Sequence, residues 1–239
     1  MVLDRRKKAR ETLILDKKFI ERQPPVVQML KEEFMSKKRI LLVGASGIIG
    51  RAVDQLLNPD YEVIRASRKA EVQIDLTDPE GMVAVLKKLK PLDHIICTAG
   101  LANFVTLDKV PVARLEDSPY KLGLLDKLMG QVNLALAARD VLVDKGSVVL
   151  TSGTTSEEPI IGGSSFSMVN GALEKWAMAA ATEMPRGIRL NVVSPSVAEE
   201  CSPQQLAAFP GFEPLPAYRM ALAYKRCVDS FITGRTIAM

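Results

Sequence analysis

From Arg39 onward the chain alternates between two hydrophobic rhythms. Short apolar runs rich in β-branched residues read as strands: "RILLV" (39–43), "YEVIR" (61–65), "VQID" (72–75), "HIICT" (94–98), "SVVLT" (147–151) and "IRLNVV" (188–193). Between most of them lie stretches with apolar residues at helical spacing, over 47–58, 78–90, roughly 118–144 and 165–184. Near-continuous apolar strands alternating with helices predict an α/β fold, a doubly wound parallel sheet with helices on both faces. A helix over 216–230 and the terminal "TGRTIAM" are expected to close that sheet. Residues 37–239 therefore read as a single Rossmann-like domain. Residues 1–36 read as a basic helical N-terminal extension, divided by Pro24-Pro25.

Composition narrows the class. The chain has 239 residues, 47% hydrophobic and 25% charged, the balance of a globular domain able to bury a full core. No apolar run approaches the roughly 18–20 residues that span a bilayer, and the first residues lack an apolar secretory core. Three cysteines (97, 201, 227) form neither a pair motif nor a metal spacing. Reduced thiols, a cytoplasmic location and no metal site are the expectations. The formal charge of +4 hides an asymmetry, since residues 1–39 hold 12 Lys+Arg against 6 Asp+Glu. The basic character belongs to the leader, so neither nucleic acid nor membrane is an expected partner of the domain. The single histidine, His94, lies in the apolar run "HIICTAG" and reads as structural.

Candidate chemistry begins at "RILLVGASGIIGRAV", a strand, a glycine turn and a helix start. Gly44, Gly47 and Gly50 suit a tight turn, close approach to a phosphate and close helix–strand packing. Around them Ser46, Ile48 and Ile49 bring backbone N–H groups to a helix N-terminus, where a pyrophosphate is favoured. A structural glycine turn is the alternative. The second strand ends in "VIRASRKA", without the acidic residue that would accept from a ribose 2′-OH. Ser67 and Arg68 suit a 2′-phosphate instead, with Arg51, Arg65 and Lys69 alongside, so NADP(H) is the expected cofactor in preference to NAD(H).

With these segments in order, the chain resembles the short-chain dehydrogenase/reductase superfamily over most of residues 39–239. "GASGIIG" is similar to the glycine turn of its atypical and extended members. "DLTD" (75–78) resembles the adenine-contacting stretch, which implies roles for Asp75 and Leu76; "CTAG" (97–100) stands beside the cofactor in the family, which implies contacts from Ala99 and Gly100. "SVVLTSG" resembles the strand carrying the catalytic Ser, placing Ser152 in that role. "EMPRGIRLNVVSPSV" is similar to the strand and proline turn after the catalytic helix. The resemblance also implies a homodimer or homotetramer paired through its long helices.

The departure falls on the chemistry. Such enzymes use a Tyr and, four residues later, a Lys that lowers the phenol pKa from about 10. In "GGSSFSMVNGALEKW" (162–176) those positions are Phe166 and Asn170, so this would be an atypical member lacking the Tyr-x-x-x-Lys pair. In "LLDKLMGQVN" (124–133), Lys127 stands where the family's relay Asn would be, three residues before Gly130. Lys127 becomes the candidate proton donor, Ser152 the candidate partner of a substrate oxygen, and Asn170 a neutral contact to the cofactor ribose. A solvated helix lysine, a strand-end hydroxyl and a local helix hydrogen bond are the plainer alternatives for the three. Phe166, Met168 and Trp176 read as core or subunit contacts, and Tyr120 as too far from Lys127 to replace the missing phenol. Two functions stay open: an NADP(H)-dependent oxidoreductase acting on a small carbonyl or alcohol, and a catalytically silent NADP(H)-binding redox sensor or regulator. Residues 196–220 are the expected specificity segment.

Overall fold

The computed structural model describes residues 37–239 of the chain; the extension expected over 1–36 lies outside the described residues. Seven strands form one sheet in the order β3-β2-β1-β4-β5-β6-β7, every pairing parallel. They are β1 (Arg39–Val43), β2 (Glu62–Ser67), β3 (Val72–Gln73), β4 (Leu92–Cys97), β5 (Leu142–Thr151), β6 (Arg189–Ser194) and β7 (Thr236–Ala238). The helices are α1 (Ile48–Leu57), α2 (Pro79–Leu89), α3 (Gly130–Ala138), α4 (Ser164–Ala180), α5 (Pro203–Leu206) and α6 (Ala217–Asp229).

Strand alternation explains the two layers. On β1, Leu41 and Val43 face a core with Met82 and Leu86 of α2, Leu134 of α3 and Leu173 of α4. Ile40 and Leu42 face the opposite core, with Val53 and Leu57 of α1 and Tyr224 and Cys227 of α6. Each face of a parallel sheet must be covered, which is why the strands read as nearly unbroken apolar runs. The chain reverses direction of winding between β1 and β4, so their C-terminal ends open a crevice at the switch point.

Two expected boundaries move by five residues or more. The helix expected over roughly 118–144 is π-helical over Gly123–Met129, continues as α3 and stops at Ala138. Strand β5 starts at Leu142, five residues before the expected 147, because "VLV" (141–143) can pair with the sheet. Its register against β4 shifts between Leu92 and His94, where Lys145 takes φ 62° and Gly146 follows.

Candidate active site

Strand β1 delivers the chain to the crevice through a turn that only glycine can make. Gly44 has φ +88°, and a Cβ on Gly50 would run into the Gly44 carbonyl. Helix α1 then starts without a side-chain cap and without an acid in its first turn. Its first N–H groups and positive dipole end are left for an anion. Arg51 Nη1 donates to the Ser46 carbonyl at 2.6 Å and adds positive charge beside the turn.

A cleft of about 260 Å³ runs from this turn across the switch point. Gly44, Ser46, Gly47, Ser67, Arg68, Asp75, Leu76, Ala99 and Gly100 all line it. Ile48 and Ile49 line a neighbouring apolar cavity instead, and Gly50 is buried against the turn. At the far end, Arg68 makes no ion pair among the described residues, whereas Arg65 is spent on Asp54 at 2.9 Å. Thr77 donates to Asp75 Oδ1 from its amide at 2.9 Å and its hydroxyl at 2.7 Å, holding that carboxyl below its usual range. The glycine turn, the uncapped helix and the free guanidinium fit a phosphorylated dinucleotide.

Beneath the cleft lies Lys127, only 7% exposed. Its Nζ donates to the Ser152 carbonyl at 3.1 Å. Burial pulls its pKa down from 10.5 to about 8, against the opposing pull of Cys97 and Asp126. Gly100, at φ +146°, sits over its stem so closely that a Cβ there would lie 2.8 Å from Lys127 Cγ. The next residue, Leu101, donates its amide to Asp126 Oδ1 at 2.6 Å. π-Helical turns often mark functional sites because they turn extra side chains inward; here both Asp126 and Lys127 are buried.

Two residues that sequence reasoning missed hold this arrangement. Gln131, fully buried, accepts from the Thr151 amide at 2.8 Å and donates to the Thr151 carbonyl at 2.9 Å. It also donates to the Lys127 carbonyl at 3.2 Å, one turn back, and so ties the lysine's helix to the end of β5. Glu174 accepts from the Ser152 hydroxyl at 2.6 Å and from Ser156 at 2.9 Å. Their signal was the four-residue spacing, Gln131 after Lys127 and Glu174 after Asn170. Ser152 thus spends its proton on Glu174 and offers only lone pairs elsewhere.

Asn170 donates to the Gly153 carbonyl at 3.3 Å and to Thr155 Oγ1 at 2.9 Å. It is buried and lines neither cavity, while its Oδ1 and the hydroxyls of Ser165 and Thr154 lack protein partners. Phe166 is absent from both buried cores and lines the apolar cavity, ring to ring with Phe104 at 4.8 Å. Trp176 packs beside the first core, and Met168 is partly exposed. Tyr120 reaches the start of α4, its hydroxyl 3.0 Å from Ser164 Oγ. His94 lies 2.8 Å from the Ser147 hydroxyl within the sheet, and burial lowers its pKa to about 4. Cys97, Cys201 and Cys227 are free thiols.

A switch-point cleft with a glycine turn and an uncapped helix defines a dinucleotide-binding α/β protein. Residues 51–226 match the family model described as enoyl-(acyl carrier protein) reductase. The chain belongs to the short-chain dehydrogenase/reductase superfamily. The protein lin1944 from Listeria innocua is similar at 39% identity with a TM-score of 0.80, covering 84% of this chain and 99% of that one. A short-chain dehydrogenase/reductase of Stachybotrys chlorohalonatus is 31% identical over 159 residues, 66% of this chain and 56% of that protein. Human L-xylulose reductase is 27% identical over 183 residues, 70% of this chain and 74% of that enzyme.

Proposed function

We propose that the chain is an NADP(H)-dependent oxidoreductase acting on a small carbonyl or alcohol, with Lys127 in place of the missing phenol. The observation that carries this reading is the buried Lys127 ammonium under Gly100, with a pKa near 8. A desolvated lysine poised near neutrality is a usable acid, and a positioned donor is worth on the order of 10²–10⁴ in rate.

In this reading the Gly44–Gly50 turn and the start of α1 hold the pyrophosphate, while Ser67 and Arg68 hold a 2′-phosphate. Asp75 and Leu76 border the adenine, and Ala99 and Gly100 the nicotinamide half. The cofactor supplies hydride to a carbonyl carbon, or accepts it from an alcohol. Lys127 gives its proton to the oxygen as charge develops there, and takes it back in the reverse direction. Glu174 accepts the Ser152 proton, which leaves the hydroxyl its lone pairs for a donor. Asn170 lies outside the cleft and ties α4 to the loop after β5 through Gly153 and Thr155, so the ribose contact is not assigned to it.

One observation favours the second reading, a dinucleotide-binding sensor without turnover: the Ser152 proton is committed to Glu174. The two readings separate by deuterium transfer from NADPH deuterated at its transferable position into a metabolite extract, with Lys127→Met alongside. A labelled product that the variant fails to make supports the oxidoreductase. No label, from protein that binds NADPH, supports the sensor. We further propose a cytoplasmic homodimer or homotetramer without nucleic-acid or membrane partners. Exposed Leu125 and Met129, beside Met168 and Met178 of α4, are the apolar positions such pairing would cover.

A further inference from the structure

The apolar cavity beside the cofactor cleft has about 670 Å³, within the range of small-molecule sites. Gly47 and Thr98 line both spaces, so the two adjoin at the switch point. Among the described residues no lysine, arginine, aspartate or glutamate lines the cavity; its polar side chains are Thr98, Ser196, Cys201, Gln204 and Gln205. Three phenylalanines make its wall. Phe104 lies 4.8 Å from Phe166 and 6.3 Å from Phe209, tilted and edge-on respectively. Phe104 remains half exposed, so apolar ring surface is left for a ligand to cover.

We propose that this cavity selects an uncharged, ring-bearing carbonyl compound, or the corresponding alcohol, as the substrate of the reaction assigned above. The inference rests on that reading for its chemistry, but its selectivity comes from the lining alone. A carboxylate or phosphate carried on the ring, away from the reacting carbonyl and Lys127, would lose its water among lining residues that include no cation. A polyhydroxylated chain would leave hydroxyls unpaired against the phenylalanines. A planar ring gains instead, because aromatic pairs at such separations attract beyond the area they bury. Phe166 has a direct use in this arrangement: where a phenol would place a hydroxyl in the cavity, this chain extends its aromatic wall.

The carbonyl points toward Thr98 and the cleft, with the ring among Phe104, Phe166 and Phe209. On reduction the C=O π bond breaks. The carbon gains the hydride carried by NADPH, leaving NADP⁺, and the oxygen gains the Lys127 proton, which solvent restores.

The test uses two probes with one ring system and one ketone, 2-acetylnaphthalene and 6-acetyl-2-naphthoate, the naphthoate carrying its charge at the far end of the ring. Their binding to the full chain, with and without NADPH, is followed by ligand-observed NMR, and NADPH consumption is measured separately. The neutral probe is expected to bind at least about tenfold tighter. Phe209→Glu should weaken it by a similar factor, and Gln204→Lys, at an exposed position on the rim, should raise the affinity for naphthoate. Equal or tighter binding of naphthoate by the unaltered chain, or binding of neither probe at millimolar concentration, overturns the proposal. Neutral-probe binding that survives Phe209→Glu in a folded variant overturns it as well. Selective binding without NADPH consumption supports the cavity's selectivity and counts against the catalytic reading, so the two fail separately.

Discussion

Lys127 Nζ donates to the main-chain carbonyl of Ser152 at 3.1 Å, joining the π-helical turn before α3 to the end of β5. The bond satisfies one of the ammonium's protons without neutralising its charge. Gln131, one turn further along, makes a paired contact with Thr151 on the same strand end. The lysine is therefore held from both sides of one helical turn, beneath Gly100 at the floor of the cleft.

A lysine held near 8 when folded and near 10.5 when unfolded destabilises the fold by on the order of 3 kcal/mol at pH below 8. The unfolded chain binds more protons between those values, so the penalty fades as pH rises from 8 to 10.5. Lys127→Met is expected to abolish turnover, keep NADPH affinity within a fewfold, and raise Tm at pH 7. Thermal melts across pH 6–10.5 should show the variant's advantage shrinking over the upper part of that range. Carbonyl reduction by the unaltered enzyme should decline as pH rises through about 8, as the ammonium is lost.

Gly100→Ala would force a side chain into φ +146° and push its Cβ onto the Lys127 stem. Backbone strain of this kind costs on the order of 1–3 kcal/mol. Because the residue also borders the cleft, denaturant melts should show that loss while kcat and cofactor affinity both fall.

Gln131→Met removes three hydrogen bonds and leaves the Thr151 amide and carbonyl buried without a partner. A loss of about 2–4 kcal/mol is expected in urea melts. The revealing readout is the pH–rate profile, whose descending limb should move from near 8 toward the ordinary lysine range as Lys127 loosens into water.

Arg68 is the cation at the end of β2 that faces the cleft. Arg68→Glu should weaken NADPH binding by about ten- to a hundredfold, the worth of a charge-assisted bond, and leave NADH binding unchanged or improved. Fluorescence titration with both cofactors measures this directly.

His94 is held neutral in the sheet, with a folded pKa of about 4 against 6.5 when unfolded. Its folded pKa is depressed by burial, so the unfolded state takes up the proton first. Stability is expected to fall as pH drops from 6.5 to 4, by up to roughly 3 kcal/mol. In acid melts, His94→Gln should decline less steeply over that window.

The sheet and its coverings were legible because apolar periodicity is a local property. Runs such as "RILLV" and "SVVLT" can be satisfied only between two layers, and each pairs parallel as expected. The glycine turn was legible for a similar reason, since Gly44 and Gly50 answer demands made within seven residues of chain. The break in the expected 118–144 helix was not, because helix period and strand period overlap in "LAARDVLVD" and pairing with β4 decides between them.

The residue types at the candidate site were likewise readable, Lys127 and Ser152 by spacing and Phe166 by its failure to donate. What each one does with its hydrogen bonds depended on residues far away in sequence. Glu174 claims the Ser152 proton from 22 positions on, and Gln131 reaches Thr151 across 20. Phe166 meets Phe104 only because the loop after β4 folds back over α4. By itself the sequence determined the layers, the phosphate turn and the absence of a phenol, all properties of contiguous residues. The tertiary structure alone decided the burial that lowers the lysine's pKa and the uncharged cavity beside it, because desolvation belongs to everything packed around a group.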